Sequence, residues 1–313
     1  MKKNLILIIM ILFFSYLLKA EEDIFTDRYN ARAAGLGNNF VALANDSTAV
    51  FYNPAGLGLI ERSSFNSMYA DINANGIIKN FIVSGGGAYQ DISMGLGWCL
   101  ESVDLDPESW YQHRIYYGAS YFLFDKIHVG LGSKLMIIQT EIYENDSIWG
   151  YGFDGGLLLS SDNWDLDFMS DNEVELRVGI MLRDVYTQIE WSENNVEDLP
   201  FALIFGGNLN YYEMINISAQ FTSQKKSLAQ FGVGGEFYLL KLLDYQFAEE
   251  YKITDIVLRG GIQIENIYRT ASRYSFGIGL VFNQYCFDYA IVYQMDYLPA
   301  THYFSLNVNN WSL

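Results

Sequence analysis

Residues 274–282 read Tyr-Ser-Phe-Gly-Ile-Gly-Leu-Val-Phe, and their parity decides the fold. Tyr274, Phe276, Ile278, Leu280 and Phe282 fall on one side; Ser275, Gly277, Gly279 and Val281 fall on the other. Successive side chains of a strand point to opposite faces, so a period of two means a strand. The pattern recurs at Ile92, Met94, Leu96, Trp98 and Leu100 against Ser93, Gly95, Gly97 and Cys99. It returns at Ile215, Ile217, Ala219 and Phe221 against Asn216, Ser218, Gln220 and Thr222.

Marking every such run gives about fourteen strands: 64–72, 77–88, 91–102, 114–124, 127–142, 150–160, 173–184, 200–212, 214–224, 227–240, 255–266, 273–283, 284–294 and 301–310. Turn signals such as Asn75-Gly76, Asp125-Lys126 and Asn283-Gln284 separate them. After residue 65 the one stretch compatible with a short helix is 239–251.

Two architectures share this alternation. A soluble sandwich or barrel buries its large apolar face and charges the other. A membrane barrel turns the apolar face to lipid and keeps small or polar residues inside. Here the large-residue face carries almost no formal charge, while the small-residue face holds Gly, Ser, Asn and Gln with scattered charges. Those charges include Lys134, Asp154, Arg177, Arg183, Arg259, Glu265 and Asp288. Charged residues are 18% of the 313 residues and aromatics 16%, against about 25% charged in an ordinary soluble domain. The expected fold is therefore all-β: a closed antiparallel transmembrane β-barrel, with Lys134, Asp154, Arg177, Arg259, Glu265 and Asp288 facing its lumen. Tyr274 and Phe282 cap their strand as aromatic girdles would. The chain ends on Trp311 and Leu313, where outer-membrane barrels commonly finish on an aromatic.

The flanking features agree. Lys2 and Lys3 precede an apolar run from Leu5 to Leu18, followed by Lys19-Ala20 and an acidic stretch. That order reads as a signal peptide over 1–20, because the run is short of the roughly 20 residues of a spanning helix. The net charge of −18 argues against nucleic acid. Cys99 and Cys286 allow at most one bridge.

Residues 28–60, RYNARAAGLGNNFVALANDSTAVFYNPAGLGLI, do not alternate. Ala31–Leu36 and Asp46–Phe51 read as short helical turns, the second with Asp46 as N-cap, and Asn53-Pro54 caps and begins a third. The segment is nearly uncharged and needs shelter, which a barrel lumen provides. It forms a hatch over 21–62, ahead of the barrel at 63–313.

This segment resembles the opening of the PorV/PorQ family, related to the FadL-type outer-membrane transporters. The matching stretches are Arg32 to Gly37, Phe40 to Asp46 and Tyr52 to Leu57, so the hatch motif comprises Arg32, Gly35, Gly37, Asp46, Asn53, Pro54 and Gly56. Later matches lie at Gly150 to Gly156, Arg259 to Gly261, Phe287 to Ala290 and Thr301-His302; Leu298-Pro299-Ala300 departs from the usual Leu-Gly. The resemblance implies a fourteen-stranded barrel with an internal hatch, in the outer membrane of a Gram-negative-type bacterium. It also implies one of two roles, passive transport of hydrophobic or small solutes or reception of exported proteins in type IX secretion; a structural barrel without transport is the third reading. The partners implied are outer-membrane lipids with either hydrophobic small molecules or exported proteins.

No catalytic motif occurs, and Gly35-Leu-Gly37 follows no strand and lacks the third glycine of a dinucleotide loop. The expectation is no enzyme, no cofactor and no metal. His113, His128 and His302 lack ligand spacing, and the acidic stretch Ser161–Glu175 reads as a solvated loop before a Ca²⁺ site.

Overall fold

The computed structural model describes residues 28–105, 108–124, 126–140, 147–161, 174–192, 195–224, 229–243, 253–265, 271–294 and 299–310. The proposed signal peptide, Trp311, Leu313 and the acidic residues Asp162 to Glu173 lie outside them.

Among the described residues fifteen strands follow one another: β1 (Ser63–Ile72), β2 (Ile78–Tyr89), β3 (Ile92–Leu105), β4 (Glu108–Leu123), β5 (Ile127–Thr140), β6 (Ile148–Ser160), β7 (Val174–Ser192), β8 (Asn195–Asp198), β9 (Ala202–Tyr211), β10 (Ile215–Gln224), β11 (Gln230–Tyr238), β12 (Asp255–Glu265), β13 (Ala271–Phe282), β14 (Tyr285–Gln294) and β15 (Thr301–Asn309). Fourteen form a closed antiparallel barrel, with β1 paired to β15 and β6 to β7. β8 is the extra strand, a short flap paired only to β7, beyond the fourteen that the sequence suggests. It escapes parity reading because all four of its residues are exposed, so it has no apolar face. A single turn of helix, α3 (Leu239–Leu242), falls within the stretch that left room for one.

Parity holds around the wall. Leu131, Phe276, Phe304 and Ile217 point outward and are 71, 59, 52 and 51% exposed, while Ser275, Asn208, Ser218 and Asn66 on the other face are buried. A belt of exposed aliphatic and ring side chains around buried polar ones is the inversion expected where the surrounding phase is lipid. Among the described residues no helix is long and apolar enough to cross a membrane; the strands do so.

The lumen is filled by residues 28–60. Helix α1 (Ala31–Gly35) begins at Asn30, whose Oδ1 accepts from Ala33 N at 2.6 Å. It ends in a Schellman turn: Asn38 N donates to Ala33 O at 2.8 Å and Gly37 N to Ala34 O at 3.2 Å. That closure needs a left-handed residue after the cap, and Gly37 supplies φ +66°. Helix α2 (Ala49–Tyr52) begins at Thr48, not at Asp46. Asp46 instead closes the preceding turn, its Oδ1 accepting from Thr48 N at 2.9 Å and Thr48 Oγ1 at 2.5 Å. A 3-10 helix (Pro54–Leu59) follows, with Asn53 Oδ1 accepting from Ala55 N at 3.2 Å.

Candidate functional site

The site is the seam between this segment and the inner wall. Residues 35–41 pass from β13 to β7 and residues 53–57 from β6 to β3, and glycines mark the way. A Cβ at Gly277 on β13 would sit 3.3 Å from Gly35 Cα. At Gly261 on β12 and Gly234 on β11 it would fall on Leu36, and at Gly232 on Asn39. Gly206 and Gly179 on β9 and β7 lie against Val41, Gly156 on β6 against Asn53, and Gly130 on β5 against Ala55. Gly118 and Gly95, on β4 and β3, receive Leu57. The small-residue face therefore contains seats for a backbone, and its glycines admit the segment rather than widen a pore.

Hydrogen bonds complete the ring. Gln220 Oε1 accepts from Phe40 N and Val41 N at 3.1 and 3.0 Å, and Asn53 Nδ2 donates to Val41 O and Leu157 O at 3.0 and 3.1 Å. Ser47 N donates to Ser64 Oγ at 2.9 Å, and Asn307 Nδ2 to Asp46 Oδ2 at 2.9 Å. Gly56 abuts Ala44 O, so a side chain there would separate the two halves of the segment. The hatch-motif residues thus hold either the segment's own turns or the wall.

Charges inside the barrel occur in clusters. Arg32 of the segment grips Glu236 of β11 through one edge of its guanidinium, Nε at 2.9 Å and Nη2 at 3.0 Å. Arg259 of β12 donates to the same Glu236 at 2.9 Å and to Asp288 of β14 at 2.6 Å. Tyr238 Oη donates to Glu236 at 2.6 Å. Across the lumen Lys134 meets Asp154 at 3.1 Å and Asp184 at 2.5 Å. Asp184 sits in a bulge of β7 opposite Asp154, with φ +56°, and donates its own N–H to Asp154 at 2.8 Å. Buried ions persist when paired and hydrogen-bonded, and both clusters meet that condition.

Of the six charges assigned inward from the sequence, Lys134, Asp154, Arg259 and Asp288 belong to these clusters. Arg177 stands apart, pairing with Glu175 two residues back. Glu265 pairs in register with Gln230, and its side chain lies outside the described residues. Glu236 and Asp184 complete the clusters and were not singled out from the sequence. Glu236 had a signal, following Gly232 and Gly234 on the small-residue face of its strand; Asp184 had none, because the bulge that aims it interrupts the parity. The three histidines stay apart: His113 stacks on Trp98, His128 on Phe122, and His302 bonds Tyr289. Both cysteines are free thiols, and no metal-binding group occurs among the described residues.

Above α2 the rings of Tyr29 and Phe51 stack at 4.6 Å, with Tyr52 and Tyr116 edge-on. Beside them lies a cavity of about 20 Å³, lined by Tyr29, Val41, Phe51, Tyr52 and Ile204, by the polar Asn38, Gln220 and Thr222, and by the charged Arg183. That is room for one water, between a mainly aromatic wall and a polar one.

No family model matches the sequence, and no curated protein matches it. Solved structures do. The P. putida toluene transporter TodX aligns with a TM-score of 0.62 at 11% identity, over 92% of this chain and 100% of that one. The CymD monoaromatic hydrocarbon channel gives 0.61 at 11% identity, over 91% and 98%. A Pseudomonas aeruginosa FadL homologue gives 0.57 at 11% identity, over 89% and 97%. At such identity the likeness is one of fold.

Proposed function

We propose that the chain is a FadL-like channel in the outer membrane of a Gram-negative-type bacterium, passing hydrophobic solutes passively, with residues 1–20 as its signal peptide and 21–62 as its hatch. The observation that carries this reading is the seating of residues 28–60 across the whole lumen. A barrel so filled does not pass ions or water freely; a solute passes only by parting the segment from the wall. The aromatic seam at Tyr29, Phe51 and Tyr52 offers an apolar solute ring contacts there, and the neighbouring cavity shows where packing is incomplete. The barrels similar in fold include a toluene transporter and a monoaromatic hydrocarbon channel, which supports apolar solutes as cargo. The direct test is uptake of radiolabelled toluene and oleate by cells expressing the chain. Uptake above the empty-vector rate for either supports the reading; vector-level uptake of both, with the barrel assembled in the membrane, refutes it.

The PorV/PorQ-like stretch of Arg32 to Leu57 carries a second reading, reception of exported proteins. Loss of secreted cargo on deleting the gene, with solute uptake intact, would replace the first.

A further inference from the structure

On the lipid side of the wall, away from the lumen, lies a groove of about 440 Å³. Its cause is one small residue: Ser67 of β1 stands in register between Leu306 of β15 and Val83 of β2. The next row along carries Phe304, Tyr69 and Phe81, all exposed, and the groove reaches past Phe287 to Leu280 and Ile278 of β13. The result is a dent with ring walls and a hydroxyl in its floor, inside the belt that faces hydrocarbon.

We propose that this groove seats one acyl chain of a membrane lipid, held in place rather than exchanging with the surrounding shell. The occupant follows from position. The groove opens on the outward parity, so what reaches it is hydrocarbon, and a void there would cost its ring lining the contacts that dense packing provides. Its volume lies within the range of small-molecule sites, about 300–1,000 Å³. Its polarity is also graded along the strands. Two residues beyond Tyr69 and Phe304, about 7 Å at the rise of a strand, come Asp71 and His302, with Lys79 in register beside Asp71. His302 is tied to Tyr289 Oη at 2.7 Å, and Lys79 to Asp104 at 3.3 Å. That polar row takes the ester and headgroup, while the chain runs down past Phe304 to Ser67.

The test uses the full barrel, reconstituted in vesicles of phosphatidylethanolamine and phosphatidylglycerol, re-extracted in dodecyl maltoside, washed exhaustively and assayed for phospholipid by mass spectrometry. Ser67→Trp fills the groove, Phe304→Ala removes a wall, and Ile217→Trp adds a ring to the outward face of β10. Wild type and Ile217→Trp should each retain about one phospholipid per barrel, and the two groove variants about tenfold less, equivalent to ~1.4 kcal/mol. Heat-modifiable gel mobility reports assembly; should Ser67→Trp fail to assemble, Phe304→Ala decides. Equal retention by the groove variants and wild type, or none by wild type, overturns the proposal.

Discussion

Replacing Glu236 with Gln tests whether the hatch is latched by charge. The substitution keeps the shape and removes the one carboxylate shared by Arg32 of the segment and Arg259 of the wall. Removing one partner from a buried ion pair costs about 3–5 kcal/mol, because the other charge is left uncompensated. Here the two guanidiniums keep partial company. Arg259 retains Asp288 at 2.6 Å, and Arg32 retains Asn45 Oδ1 at 2.8 Å with Asp46 at 3.9 Å. The low end applies, about 3 kcal/mol. The Arg32–Glu236 contact joins segment to wall, so its loss weakens the seated state against an unseated one. At 1.4 kcal/mol per tenfold, the unseated population rises roughly a hundredfold. Single-channel recording in planar bilayers counts that population as opening events. Asp288→Asn supplies the contrast: Asp288 and Arg259 are equally buried, but both lie in the wall, so breaking their pair should lower barrel stability without a comparable rise in openings. An opening frequency for Glu236→Gln equal to wild type, in an assembled barrel, would refute the latch.

Three further outcomes are expected. Deleting residues 24–52 should leave an assembled barrel that conducts ions steadily in planar bilayers, where the intact chain conducts little; equal conductance would remove the hatch. Lys134→Met leaves Asp154 without its cation and Asp184 with Arg183 at 3.8 Å, so the low end applies, about 3 kcal/mol in a urea unfolding titration of the reconstituted barrel. Phe276→Arg places a charge on the lipid face and should cost about 2–4 kcal/mol if it lies at the bilayer midplane, read in the same titration.

The sheet was legible because its outward face must be apolar along every strand, which imposes period two on hundreds of ångströms of wall. Where that demand lapses, so does the signal: β8 is exposed throughout, and the first six residues of β4, Glu-Ser-Trp-Tyr-Gln-His, lie outside the range read from alternation. The segment's turns were legible at Asn53-Pro54, where Asn caps and Pro fixes the first residue. They were misread at Asp46, because a turn-closing Asp and a helix-capping Asp both bond the amide two residues on. The partners of the inward charges were not legible. Arg32 and Glu236 are 204 residues apart, and only the register of the closed sheet brings β11 opposite α1.

Glycine on the inward face shows how the same residue supports opposite conclusions until contacts are known. By parity alone, Gly277 beside Ser275 reads as lumen lining, where adding a hydroxymethyl would be mild. In the folded chain the Cβ of a Gly277→Ser variant would press on Gly35 Cα, Arg259 Cβ and Tyr289 O, all at 3.3 Å, so each must give by a few tenths of an ångström. The glycines at 130, 156, 179, 234 and 261 meet backbone or capping atoms of the segment more closely still. Water tolerates a new methyl group; a docked backbone does not. A wall whose glycines meet residues 35–41 and 53–57 is therefore complementary to that one segment in that one orientation. The Arg32–Glu236 pair adds specificity that shape alone would leave loose, since sliding the segment by one residue would pull Arg32 from Glu236 and leave its guanidinium short of a partner in a water-poor interior. Shape and charge together make the seated segment the barrel's ground state, and that is what a solute would have to disturb under the proposed function.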